Sequence, residues 1–226
     1  MKGIRAVLFD AGGTLIHVDG ERVSGAAGVP FEAAAFRSAE AAAVDAVRRL
    51  VLERPESRDA ERIPLYFGTL LKGLGIADDG ERRLAAGRVA AEHQRANLWS
   101  RRADDAAEVL GTLKGRGYRV AVVSNADGRV RGLLEGAGLA PLLEFVVDSA
   151  EIGVEKPDPR IFHAATDRLG IAPAACAYVG DIYEIDVVGA ERAGLSGILI
   201  GHGPAPESVR RVAGLSDLAP LFPGVE

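Results

Sequence analysis

Five short runs of this chain are continuously apolar rather than alternating: RAVLFD (5–10), RVAVVS (119–124), EFVVDS (144–149), CAYVGD (176–181) and SGILIG (196–201). Unbroken Val, Ile, Leu and Phe over so few residues predicts strands covered on both faces, as in a parallel sheet. Between them lie four stretches with helical spacing, 104–117, 127–138, 158–170 and 184–194, each starting near an acidic residue and ending at a glycine. An acidic start suits the positive end of a helix, and a terminal glycine suits a left-handed stop. The alternation predicts an α/β core built on a doubly wound, mostly parallel sheet.

Residues 17–103 break the alternation. They show no strand pattern but three helical stretches, 31–53, 59–74 and 81–98. An insertion of this length between two strands is far beyond an ordinary crossover. The expectation is an all-helical cap formed by 17–103, inserted after the first strand, with the core made of 1–16 and 104–226. Hinges are expected near Asp19–Gly20 and Ser100–Arg102.

Composition narrows the possibilities. The chain is 48% hydrophobic and 26% charged with a formal net charge of −5, which suits a globular protein and argues against nucleic acid or an anionic membrane surface as partner. The single cysteine, Cys176, sits in an apolar run and reads as a core thiol. No stretch approaches the ~20 apolar residues of a membrane span, and the N-terminus runs straight into a strand pattern, so a cytoplasmic location is expected.

Ligands of open α/β sheets bind beyond the carboxyl ends of the strands. There the first strand delivers Asp10 and then Thr14, the second Ser124 and Asn125, and the fourth Asp181 and Asp186; Lys156 lies in EKPDPRIF beyond the third. Singly, each has an ordinary explanation as a helix cap or surface charge. Together, three carboxylates at one sheet edge would repel one another unless a cation intervened, and oxygen ligands suit Mg²⁺. A metal, an ammonium and a hydroxyl around a nucleophilic carboxylate form a phosphoryl-transfer constellation.

These four segments, in this order, resemble the motifs of the haloacid dehalogenase superfamily: DAGGT (10–14) against D-x-D-x-T, VAVVSN ending at Ser124, the lysine of EKPDPRIF, and GDIYEID (180–186). The resemblance runs over essentially the whole chain and implies a Rossmann-like core with a substrate-selecting helical cap. It implies that Asp10 attacks phosphorus and that Thr14 steadies its loop. Ser124, Asn125 and Lys156 would hold the phosphoryl group of a small phosphorylated substrate. Mg²⁺ would be bound by Asp10, Asp181, Asp186 and the backbone carbonyl of Gly12.

Gly12 departs from the pattern, because the family places its general acid/base aspartate there. Losing general acid–base catalysis is worth about 10²–10⁴ in rate, a deficit that shrinks when the leaving group needs no proton. The expected substrates are therefore activated (acyl or aryl) phosphates. His17, at the cap entrance, is a candidate substitute, though a hinge histidine with no chemical role is the preferred reading of it. Three alternatives stay open: a catalytically weak metal-binding interaction module, a carbon–phosphorus hydrolase using Lys72, and a carbon–halogen hydrolase. The last is disfavoured by the acidic pair Asp181 and Asp186, and by the bulky aromatic that dehalogenases of the superfamily carry at the position of Gly12.

Overall fold

The computed structural model describes residues 1–225. In chain order the elements are β1 (Ala6–Phe9), β2 (Ile16–Val18), α1 (Gly20–Ala27), α2 (Ala33–Glu53), α3 (Asp59–Gly73), α4 (Asp79–Arg95) and β3 (Trp99–Arg102). They continue with α5 (Ala106–Gly115), β4 (Arg119–Ser124), α6 (Val130–Gly136), β5 (Val146–Asp148), α7 (Ser149–Ile152), α8 (Pro159–Leu169), β6 (Cys176–Gly180), α9 (Val188–Arg192), β7 (Ser196–Ile200) and β8 (Arg211–Val212). The chain divides into two compact units, one of Val18–Ser100 and the other of Met1–His17 with the chain from Arg101 onward.

The second of these units is a doubly wound α/β fold. Six parallel strands lie in the order β5-β4-β1-β6-β7-β8. The central strand, β1, is buried along its whole length, which is why its sequence is apolar without alternation. On one face Ala6, Leu8, Ala121, Val123, Cys176 and Tyr178 pack against Ile161, Phe162 and Ala165 of α8. The Asp158 carboxylate accepts the Arg160 N–H to cap α8, with Pro159 in its first turn and Gly170 closing it in a left-handed conformation. Cys176 is buried in this core, and burial pushes its thiol up to about 11, so it has no nucleophilic character at neutral pH.

All five strands expected from the apolar runs are present, each trimmed by at most two residues at either end. The glycine stops also hold: Gly117, Gly138, Gly170 and Gly194 all have positive φ. The acidic starts hold less uniformly, since the Asp105 carboxylate accepts the backbone N–H of Ser216 rather than capping α5. The edge strand β8 was not anticipated, because two residues carry no pattern.

The Val18–Ser100 unit is mainly a four-helix assembly. Its interior is formed by Phe36, Ala39, Ala43, Val47 and Val51 of α2 with Tyr66, Phe67, Leu70 and Leu71 of α3. The expectation that 17–103 lacks strands is corrected, because β2 and β3 pair as a two-stranded sheet. β3, Trp-Ser-Arg-Arg, is largely exposed and so carries no apolar signature. Helix α1 is an addition to the three helices expected. Its glycines and serine give low intrinsic propensity, and it is held by the Asp19 cap, buried Val23 and Ala27, and a Gly28 stop. No helix among the described residues is long and apolar enough to cross a membrane.

Helices α2 and α3 approach closely where α3 ends. A Cβ at Gly73 would sit 2.6 Å from the Ala39 Cβ and 3.0 Å from its Cα, the latter a backbone atom that cannot step aside. Gly73→Ala is expected to destabilise the helical unit by about 1–3 kcal/mol, read as a lower midpoint in denaturant unfolding followed by helical circular dichroism. An unchanged midpoint would mean that the two helices separate at no cost.

Candidate active site

The register of the sheet assembles the site. Phe9 of β1 lies opposite Val122 of β4 and Val179 of β6. Asp10, the next residue of β1, therefore emerges at the carboxyl edge together with Ser124 and Asp181, each two residues beyond the partner of Phe9. The ladder itself runs one step past β1, since the Asp10 N–H donates to the Val179 carbonyl at 2.8 Å. Asp186 arrives by a wide π-type turn, Tyr183–Val187, that leads into α9. Such turns widen the backbone and re-aim side chains.

Lys156 is the hub. Its ammonium donates to Asp10 Oδ1 at 2.7 Å, to Asp186 Oδ1 at 2.7 Å and to the Tyr178 hydroxyl oxygen at 2.9 Å. The lysine is 2% exposed. Its main chain is held by the Asn125 side chain, whose Oδ1 accepts the Lys156 N–H at 2.7 Å while Nδ2 donates to the Lys156 carbonyl at 3.1 Å. Asn125 thus acts on the geometry of Lys156. Asp186 is fixed from its other oxygen, which accepts the Ile182 N–H at 2.9 Å.

Asp10, Asp181 and Asp186 each offer one oxygen, all within 4.8 Å of one another. Burial first, and then Asp186, push the Asp10 carboxyl up, and Lys156 pulls it back, leaving it at about 6. Burial, then Asp186 and Asp10, push Asp181 well above the usual carboxylate range. One ammonium beside three carboxylates, Asp10 and Asp186 buried and Asp181 half-buried, leaves an excess of negative charge. Hard oxygen donors in excess of their counter-charge fit a small divalent cation such as Mg²⁺.

The Asp10 loop is shaped by its glycines. Gly13 has φ +77°, and a Cβ on it would lie 2.3 Å from Asp181 Oδ2, so only glycine lets Asp181 come this close. Gly180 does the same for Asp186, whose Cγ would lie 2.4 Å from a Cβ there. Gly12 differs: it pairs with Ile16 in an isolated bridge, and of the two adjacent glycines only Gly13 has positive φ. Thr14 is buried in the same loop with its hydroxyl unpartnered, and the Ser124 hydroxyl, also buried, donates to the Asn125 carbonyl at 3.3 Å. His17 lies in β2 and is half-buried. Burial and then Arg101 lower its pKa, with Asp105 and Asp104 opposing.

Tyr178 is the site residue that the sequence reading passed over. It lies mid-strand in CAYVG and looks like core. The available signal was the hydroxyl itself, since a tyrosine in a fully buried strand needs a hydrogen-bond partner.

This geometry belongs to a class of α/β hydrolases that present a carboxylate at the edge of a doubly wound sheet. Residues 4–194 match the haloacid dehalogenase-like hydrolase family, and the chain belongs to it. Among curated relatives, it is 40% identical over 124 residues to haloacid dehalogenase-like hydrolase domain-containing protein 3 of Bos taurus, covering 51% of this chain and 49% of that protein. The chain spans about half the length of the first curated relatives it matches. A longer match, 31% identical over 94% of this chain and 86% of the relative, is to a phosphoglycolate phosphatase of Rhodospirillum rubrum. Among solved structures, a dehalogenase with an intermediate complex superposes with a TM-score of 0.70 at 25% identity, covering 98% of both chains.

A carboxyl whose folded pKa stands above its unfolded value binds its proton more tightly when folded. Asp10 therefore costs stability above about pH 6, and that cost is relieved as the pH falls toward 3.8. In EDTA, Asp10→Asn is expected to melt higher than the native chain at about pH 7.5, with the gap narrowing as the pH falls through 6 and closing toward 3.8. His17, whose lowered pKa acts in the opposite sense below 6.5, is common to both proteins and cancels. A gap that does not change with pH would show that Asp10 is not held against its ionisation.

Proposed function

We propose that this chain is an Mg²⁺-dependent phosphatase that acts on a small, activated phosphate through a covalent phosphoryl group on Asp10. The observation that carries the reading is a single buried ammonium, Lys156, joining Asp10 to Asp186 at 2.7 Å each, with Asp181 close enough to share a cation with both. The likeness to a phosphatase over 94% of the chain agrees with it.

An Asp10 oxygen attacks phosphorus, forming an O–P bond as the bond to the leaving oxygen breaks and the leaving group departs with its electron pair. Asp10 loses its charge in that step, so the attraction of Lys156 is redirected to the phosphoryl oxygens. The Ser124 hydroxyl at the neighbouring strand end offers those oxygens a further donor. Water then attacks phosphorus, the Asp10–phosphorus bond breaks, and phosphate leaves carrying both protons of the water, with the carboxylate restored. Bound Mg²⁺, held by Asp10, Asp181, Asp186 and the Gly12 carbonyl, supplies the positive charge that lets an anionic nucleophile meet an anionic substrate.

Gly12 sets the substrate class. No acid stands there to protonate a leaving alkoxide, whereas an acyl phosphate expels a carboxylate that needs no proton. The same gap leaves no base at position 12 to activate water in the second step, so dephosphorylation is the slower half with acyl substrates. Helix packing accounts for the cap aromatics: Tyr66, Phe67, His93 and Trp99 stack with centroids 5.2–6.4 Å apart.

Phosphate release from acetyl phosphate, with Mg²⁺ or EDTA, tests the reading. We expect metal-dependent release that is lost in Asp10→Asn, with an initial burst preceding a slower steady state. Release no greater than that of Asp10→Asn would point instead to a metal-binding interaction module. If the missing acid is what limits alkyl substrates, Gly12→Asp is expected to raise turnover of an alkyl phosphate by about 10²–10⁴-fold. A native chain that hydrolyses alkyl phosphates faster than acetyl phosphate would overturn the assignment of substrate class.

A further inference from the structure

An ammonium has three N–H donors, and in this site each has its own acceptor: Asp10, Asp186 and the hydroxyl of Tyr178. The first two are carboxylates that the phosphatase reading commits to other work, one to phosphorus and both to a metal. Tyr178 is the one neutral acceptor of the three. It is wholly buried in β6, and its ring packs edge-on against Phe162 of α8, centroids 4.9 Å apart at 84°. Its own hydrogen goes to the Val123 carbonyl of β4 at 2.7 Å, with Asp186 Oδ1 a more distant alternative acceptor at 3.5 Å. That bond fixes the hydroxyl so that a lone pair, not a hydrogen, faces Lys156.

We propose that Tyr178 is a positioning residue. Its hydroxyl, oriented by the Val123 carbonyl, tethers the Lys156 ammonium so that its other two N–H groups stay aimed at the nucleophile side and the metal side while the carboxylates change partners. The tether is built into the rigid part of the fold: β4 supplies the carbonyl, β6 the hydroxyl, and the segment before α8 the lysine. Without it, the amine at the end of a four-carbon stem follows whichever carboxylate is momentarily anionic. Misplacement of a positioned group by about 1 Å can cost about 10²-fold in rate.

This inference rests on the phosphatase reading for its catalytic consequence, but the tether itself is visible without turnover. The chain has four lysines, Lys2, Lys72, Lys114 and Lys156, and of these only Lys156 is buried. In protein labelled with ¹⁵N-lysine, the Lys156 ammonium is expected to give the one slowly exchanging NH₃⁺ correlation. Tyr178→Phe keeps the ring, and hence the packing on Phe162, so the fold is expected to survive, as checked by thermal melting. In this variant the Lys156 correlation is expected to broaden or vanish into exchange. With acetyl phosphate and Mg²⁺, kcat is expected to fall by about tenfold to a hundredfold, with KM changed much less.

A Tyr178→Phe protein with an unchanged Lys156 correlation overturns the proposal whatever its activity. So does a native chain whose Lys156 ammonium exchanges as fast as the exposed three. Loss of the correlation in a protein whose native form releases no phosphate supports the tether and removes the phosphatase reading instead. Where the native chain is active and the correlation is lost, kcat within twofold of native shows that the tether does not serve catalysis, which also overturns the proposal.

Discussion

The buried ammonium of Lys156 is the interaction on which the rest of the site depends. A lone charge taken out of water at this depth is strongly unfavourable, and it is tolerated only where partners surround it. Here burial works to lower the Lys156 pKa, but Asp10, Asp186 and Tyr178 together outweigh it and hold the ammonium well above the ordinary lysine value. The partners come from places far apart in the chain, 146 residues away for Asp10 and 30 for Asp186. One side chain therefore ties the end of β1 to the turn after β6, while Asn125 ties its backbone to the end of β4. Removing the lysine would leave buried carboxylates facing one another with nothing between them.

The balance is nevertheless incomplete, and the imbalance is what gives the site its chemistry. One cation cannot neutralise three carboxylates, so Asp10 and Asp181 sit above their ordinary range, with burial the leading cause in both. A site assembled for stability alone would place fewer acids here or more counter-charge. Perturbed acids gathered at one strand edge are the usual mark of a functional centre, and the cost is carried by a sheet whose central strand is buried throughout. The same excess of anionic oxygen that destabilises the metal-free protein is what a divalent cation would bind.

The sequence made legible what depends on local pattern. Continuous apolar runs located five of the six strands of the sheet, and polar residues at their ends pointed to Asp10, Ser124, Asp181 and Asp186 because the carboxyl edge of a parallel sheet is where ligands bind. What escaped depends on tertiary context. β3 is an exposed strand made by pairing, and α1 is a weak helix held by a cap and two buried side chains. The joint role of Asn125 and Tyr178 around Lys156 is set by register, 31 and 22 residues from the lysine they hold. No window of sequence that short-range patterning inspects contains both partners.

The two adjacent glycines of the Asp10 loop show how differently the same residue type can be constrained. Gly13 is required by geometry: its φ is left-handed, and Asp181 occupies the space a Cβ would fill. Any other residue there would strain the backbone and push away a carboxylate of the cation site. Gly12 is not among the glycines with positive φ, and its backbone bridges to Ile16. With no side chain there, position 12 brings no acid to the carboxyl edge two residues after Asp10.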